Sequence, residues 1–379
     1  MLGGSMTMDR PARSRIPAGL LGCLALIAAV EAGVARRPLQ FADTASLSWR
    51  LAFESAPREA GGCRVACLGD SLVKIGVMPR IIEAGTGLPA HNFAMAQAPA
   101  PATYFLLRRL LGAGARPSAL IVDFKPSVLV GGPKYSLRPC QEALTLRESV
   151  DLAIEANNPR LFAELVAGRA FASVRSRLEV REAIRFTLFG LASPTARNNR
   201  LGRRNWASNL GAHLNPWDRH FDGAIDPDHL RRLSVDRWKC DPTNARFVDR
   251  LLGLADAHAI PVFWLVPPPS PPLQAAREAS GVDAAYSDFI RGRQAAHPTL
   301  TVVDARHSGY GATEFADATH LNGRGATALS HELAAIVGRR QEQPRWVDLP
   351  AYRERPADPL AEDLDRSRLA LQAEGITRR

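Results

Sequence analysis

The spacing of apolar and polar positions changes period several times along the chain, and each change predicts an element. Residues 64–68 (Arg-Val-Ala-Cys-Leu) read as a strand closed by Gly69-Asp70-Ser71, after which the pattern turns helical through Ile82. A second strand is predicted over 90–95, an Ala/Pro loop runs to Pro101, and 104–112 has the spacing of an amphipathic helix. The β-branched run 119–124, bounded by Pro117 and Pro126, is a third strand. Strand, helix, strand, helix, strand is the grammar of a parallel α/β sheet.

That grammar pauses for about 125 residues, far too long for one connection and rich in helical periodicity at 141–157 and 160–191. It predicts a helical insertion over 135–243, whose 198–228 stretch, rich in Asn, Asp, Gly, Trp and His, reads as a loop or lid. The α/β pattern resumes with a helix at 244–258, a strand at 261–266, a helix to about 296, a strand at 300–304 and a last helix at 323–339. The domain organisation is therefore an N-terminal segment (1–40), a polar linker (41–61) whose stretch 41–59 also reads as a first surface helix, one α/β domain (62–340) and a charged, Pro-containing tail (341–379).

The N-terminal segment changes the compartment. Residues 16–35 are apolar apart from Glu31, with Arg10, Arg13 and Arg15 before them and Arg36 and Arg37 after. A positive flank and a stretch of about 20 apolar residues suit a signal anchor, while Gly33-Val-Ala35 has the small residues of a signal-peptide cleavage site. Either reading exports the bulk of the chain to the periplasm or cell surface, with membrane contact only through this segment. A buried N-terminal core helix is the remaining alternative.

The formal charge of +10 invites a polyanion partner, yet the cations are almost all Arg, with Lys only at 74, 125, 134 and 239. They are dispersed, and no aromatic residues alternate with them as a single-strand groove requires, so nucleic-acid binding is not expected. Five cysteines show no paired metal-ligand spacing, and no metal or cofactor is expected. In an oxidising compartment Cys140 with Cys240 is the pair to test, and buried free thiols are the alternative. Trp206, Trp217, Phe221 and Trp238 suit either a sugar platform or the anchoring of the insertion.

Two segments carry chemistry. Ser71 sits where a buried strand turns into a helix, at the strand end where open parallel sheets bind ligands, although Asp and Ser are also ordinary helix caps. In Phe315-Ala-Asp317-Ala-Thr-His320-Leu-Asn322, before the last helix, a carboxylate three residues ahead of an imidazole is placed to orient it. The other ring nitrogen is then left to take a serine proton. Lys74, one turn after Ser71, reads either as a solvated helix-face residue or as a group acting on the serine or on an anionic substrate.

At these residues the chain resembles the SGNH (GDSL-type) hydrolase superfamily, with Gly69-Asp70-Ser71 matching its nucleophile block and Asp317 to His320 its late Asp-x-x-His block. The likeness covers about 62–130 and 244–338, and the segments 69–79 and 103–109 look like an exported bacterial subgroup. The resemblance implies a flavodoxin-like three-layer α/β/α sandwich with Ser71 as nucleophile, His320 as general base and then acid, and Asp317 orienting His320. The family's two further oxyanion donors, a glycine after the second strand and an asparagine after the third, are not evident here. The chain reads Asn92-Phe-Ala-Met-Ala-Gln97 and Asp123-Phe-Lys125-Pro-Ser127 instead. Ser71, the Ala96 or Gln97 amide, Lys125 and Ser127 are the candidate donors. The expectation is a serine esterase acting on an acylated small molecule or, as the favoured guess, a cell-surface carbohydrate. An exopolysaccharide O-acyltransferase with the same triad and a non-catalytic binding or scaffold protein are the alternatives.

Overall fold

The structure, a computed structural model, describes residues 17–132, 134–191, 193–235, 237–339 and 345–375. Arg10, Arg13 and Arg15 of the expected export signal lie outside the described residues.

Six strands form one sheet: β1 Val65–Leu68, β2 Ala90–Asn92, β3 Ala119–Val122, β4 Val262–Val266, β5 Leu300–Asp304 and β6 Trp346–Asp348. The order is β2-β1-β3-β4-β5-β6 and every pair is parallel. Alternate residues feed two separate cores, as the two-residue period of a strand requires. Ala66, Leu68, Leu120, Val122, Val262 and Trp264 join one, and Val65, Cys67, Ala119, Ile121, Phe263 and Leu265 the other. Helices Thr44–Glu59, Ala100–Gly112, Pro242–Ala257 and Val282–Ala296 supply the first core, while Ser71–Gly76, Pro79–Thr86 and Gly323–Gly338 supply the second. The protein is thus an α/β fold whose all-parallel sheet is covered on both faces. Strand order reverses between β1 and β3, which opens a crevice at their carboxyl ends.

Four expectations change. Residues 41–61 are not a linker: Asp43 caps a helix over Thr44–Glu59 by accepting from the Ser46 amide at 2.7 Å, and Trp49, Ala52, Phe53 and Ala56 are buried. Ser46, Ser48 and Ser55 are buried beside them, so the inward face carries hydroxyls that disguise its apolar spacing. Secondly, the tail beyond 340 is structural, because Trp346–Asp348 completes the sheet and helix Leu364–Ala373 docks on helix Pro194–Ser208. A three-residue edge strand is too short to show a period.

Thirdly, the insertion is only partly an appendage. Cys140, Leu144, Leu152, Leu161 and Leu165, from its helices Leu137–Ala143, Leu146–Glu155 and Pro159–Ala170 and the connection at 144, enter the first core. The irregular stretch is also shorter than expected, since Pro194–Ser208 is helical. Fourthly, all five cysteines are free, so Cys140 and Cys240 form no bridge, and burial raises the pKa of both thiols to about 12.

Among the described residues, Ala18–Ala35 alone is a helix long and apolar enough to cross a membrane, and nearly all of it is exposed. It is therefore not a buried core helix.

Candidate active site

The chain leaves β1 through Gly69, whose φ is +126° and whose missing side chain matters. A Cβ there would lie 2.0 Å from Asp123 Oδ1 and 2.6 Å from the Asp123 carbonyl oxygen. Glycine alone lets the β1 and β3 ends approach this closely. The close approach is used by Asp123, whose Oδ1 accepts from the Asp70 amide at 2.9 Å. Asp70 in turn caps helix Ser71–Gly76, accepting from the Leu72 amide at 2.8 Å and from the Lys125 amide at 3.2 Å. The capping duty therefore falls on Asp70 and leaves the Ser71 hydroxyl free for chemistry.

Asp70 and Asp123 are both fully buried. Burial first, and the Asp70 carboxylate second, raise the Asp123 pKa well above the ordinary carboxylate value.

The second half of the site comes from the loop between β5 and helix Gly323–Gly338. A bridge between Phe315 and Leu321 and the Ala316 amide bonded to the His320 carbonyl at 2.8 Å close this loop on itself. Inside it, Asp317 Oδ1 accepts from the amides of Thr319 at 2.9 Å and His320 at 3.0 Å. The Ser270 hydroxyl, from the end of β4, holds the Ala318 carbonyl at 2.8 Å, and Asn322 caps the following helix through the Arg324 and Gly325 amides.

This framework brings the three predicted residues together. His320 Nε2 lies 2.9 Å from Ser71 Oγ, and His320 Nδ1 lies 2.9 and 3.0 Å from the two Asp317 oxygens. A carboxylate accepts from Nδ1–H, so Nε2 is left as the acceptor for the serine proton. Burial would raise the Asp317 pKa, but the hydrogen bond and charge interaction with His320 and the two loop amides hold it well below the usual carboxylate range. Half of the Asp317 side chain still faces solvent, which screens its pull on the ring.

The oxyanion candidates fare differently. Ser71 is the first residue of its helix, and its N–H has no intrahelical partner. The Ala96 amide is consumed by Ser48 Oγ at 3.0 Å, which removes it as a donor. Gln97 is exposed at φ 56° with its carbonyl bound to the Ser136 hydroxyl, and no hydrogen bond ties Gln97 or Ser127 to the triad. Ser127 is half-buried on the short helix Pro126–Val130. Lys125 is buried, and burial lowers its pKa; the Asp70 and Asp317 carboxylates oppose that, and Arg277 adds to it. Of these candidates it is the one with a charge interaction with Asp317.

His213, Arg277 and Asp123 escaped the sequence reading, and Lys74 departs from the simpler of its two readings. Lys74, read most simply as a solvated lysine, is 7% exposed, and burial lowers its pKa to about 8. His213 donates its amide to the Lys74 carbonyl at 2.9 Å, and burial, Lys74 and His320 push its ring pKa down to about 3. Arg277 is buried at the same sheet edge with its Nε unpartnered. Asp123 reads in sequence as a strand-end residue, and only the Gly69 contact gives it a function.

The stretch that reads as a lid is pinned along the 315–321 loop. Asn215 donates to the Leu321 carbonyl at 2.9 Å and the Phe221 amide to the Phe315 carbonyl at 2.8 Å. Gly211, at φ +93°, lets it pass the end of β2, where a Cβ would meet the Asn92 carbonyl oxygen at 1.9 Å. Trp217 and Phe221 pack on the second core and Trp238 against Tyr286 and Phe289, so these aromatics anchor the insertion. Trp206 meets the ring of His91 edge-on. Among the described residues no group of three or more His, Cys, Asp or Glu side chains is arranged to hold a metal ion.

Fold and site together define an α/β protein with a Ser-His-Asp constellation at the carboxyl edge of a parallel sheet. No protein-family model matches the chain, and no curated protein matches it.

Proposed function

We propose that the protein is a serine hydrolase of the SGNH type that acts on O-acyl esters, with cell-surface carbohydrate as the substrate class. The observation that carries this reading is the 2.9 Å contact between Ser71 Oγ and His320 Nε2, with Asp317 on the opposite ring nitrogen. Ser71 Oγ attacks the ester carbonyl while His320 takes its proton. The tetrahedral intermediate collapses as His320 returns that proton to the leaving alcohol, giving an acyl-serine. Water, or a sugar hydroxyl in a transferase, then attacks the acyl-serine with His320 again as base. The Ser71 amide and the buried Lys125 ammonium are the donors assigned to the developing oxyanion, in place of the family's glycine and asparagine.

The test is labelling of the full-length protein in membranes or mild detergent with a fluorophosphonate probe. Wild type is expected to label, and Ser71→Ala and His320→Ala to lose labelling while keeping the wild-type melting temperature. A folded wild-type protein that does not label would exclude the reading. Where labelling succeeds, following acetate from an activated ester into water or onto added oligosaccharide separates hydrolysis from transfer.

A further inference from the structure

Large apolar side chains are exposed at several places on this chain, and two of these stretches meet in space. One is helix Ala18–Ala35, and the other is 171–191, comprising the turn Ala172–Arg175, helix Arg177–Leu188 and the residues after it. In the second, Phe171, Leu178, Ile184, Phe189 and Leu191 are at least half exposed and Leu188 is 80% exposed. A contiguous patch of this kind on a folded chain marks a contact surface.

The two stretches are tied at one point. The Glu31 carboxylate, in the last two turns of the apolar helix, accepts from the Ser173 amide at 2.8 Å and from the Ser173 hydroxyl. Val34 is buried, whereas residues 18–30 of the helix project clear of the domain. Just beyond, Asn199 donates to the Leu39 and Ala42 carbonyls and so fastens helix Pro38–Phe41 to helix Pro194–Ser208. Eighteen helical residues span about 27 Å, close to the hydrocarbon thickness of a bilayer. With that helix across a membrane, the Glu31–Ser173 tie puts 171–191 at the level where the helix leaves the hydrocarbon.

The charges fit the same level. Arg177, Arg181 and Arg185, four residues apart, share the exposed face with Leu188 and make no ion pair among the described residues. The acids of this stretch are engaged elsewhere, Glu179 by Arg138 and Glu182 by the Ser193 hydroxyl and the Thr195 amide. Between Phe41 and Leu188 runs a groove of about 610 Å³ with apolar walls from Val180, Ile184 and Leu191 and with Arg37 and Arg200 among its lining residues. Hydrocarbon and unpaired arginine on one surface is the composition of a helix lying in a lipid interface.

We propose that residues 171–191 and the groove beside Arg37 seat the domain on the phospholipid leaflet from which Ala18–Ala35 emerges. Leu178, Ile184, Leu188 and Phe189 enter the headgroup boundary, and the groove takes an acyl chain. Arg177, Arg181, Arg185, Arg37 and Arg200 meet lipid phosphates. Glu31, the one charge in the apolar stretch, sets the depth through Ser173. The inference does not depend on the chemistry at Ser71.

The experiment uses the full chain in a Cys23→Ser background, reconstituted into phosphatidylethanolamine/phosphatidylglycerol bilayers containing doxyl-labelled lipid. A bimane fluorophore is placed at Leu188→Cys or, as reference, at Ala84→Cys, exposed on the opposite helical layer. At least twofold stronger lipid quenching at 188 than at 84 is expected, falling when Arg177, Arg181 and Arg185 are all changed to Gln. Equal quenching at the two sites overturns the proposal. So does cross-linking of position 188 to a second polypeptide in native membranes without lipid quenching, and so does an intact mass showing that the helix is cleaved off. Quenching that ignores the three arginines overturns the phosphate contacts.

Discussion

The carboxyl edge of the sheet and the 171–191 stretch depart from a globular average in opposite ways. The first buries ionisable groups, with Lys74, Asp123, Lys125 and Arg277 all at least 90% shielded. The second leaves Leu188 and Phe189 in the open. Both arrangements cost stability, since a buried charge loses hydration and an exposed leucine forgoes the transfer energy of burial. The cost differs in kind. At the crevice the penalty is electrostatic and depends on pH; on the insertion it vanishes once a non-aqueous phase covers the surface.

Three substitutions probe that contrast, beginning with the largest effect. Asp317→Asn keeps the side-chain volume but offers His320 Nδ1 an N–H where it needs an acceptor, which favours the unproductive tautomer. A loss of roughly 10³-fold in the rate of fluorophosphonate labelling is expected, at the lower end for such changes because Asp317 is half exposed. A fall of less than tenfold would remove Asp317 from the role given to it.

Lys74→Met tests whether the crevice really stores electrostatic cost. The folded chain releases the Lys74 proton at about pH 8, while the unfolded chain holds it to about 10.5. Between those values the unfolded state binds more protons, so wild-type stability rises with pH across that window, and below it the full penalty stands. Methionine should therefore stabilise the protein at pH 7 by about 3 kcal/mol. That advantage should shrink between pH 8 and 10.5, as read from denaturant midpoints in mild detergent. A Met variant no more stable than wild type at pH 7 would show that the ammonium is satisfied in place.

Leu188→Ser makes the corresponding change on the insertion, where nothing is buried to lose. Its unfolding midpoint in detergent should stay within about 0.5 kcal/mol of wild type. A destabilisation above 2 kcal/mol would mean that the residue packs against protein, and the two regions would then differ less than the structure indicates.

Each half of the Ser-His-Asp constellation was readable in advance because each half is local. Gly-Asp-Ser after an apolar strand and Asp-x-x-His before a helix each specify a strand-end loop, and the six-residue reach from Phe315 to Leu321 closes on itself. The burial of the helix at 44–59 was hidden because its inward face carries serines, and β6 because three residues show no period. The oxyanion side was the least readable. The Ala96 amide is spent on Ser48 from a helix nearly fifty residues earlier, and no local pattern announces such a bond.

Sequence alone therefore determined most of the alternating β and α elements, the apolar N-terminal helix and the two short segments that hold Ser71 and the Asp317–His320 pair, because each is a local pattern. The tertiary structure decided which amides remain free, which charges lose their water and where the insertion lies. Those outcomes depend on chain segments that meet only after folding: Gly69 against Asp123, Lys74 against His213 and Glu31 against Ser173.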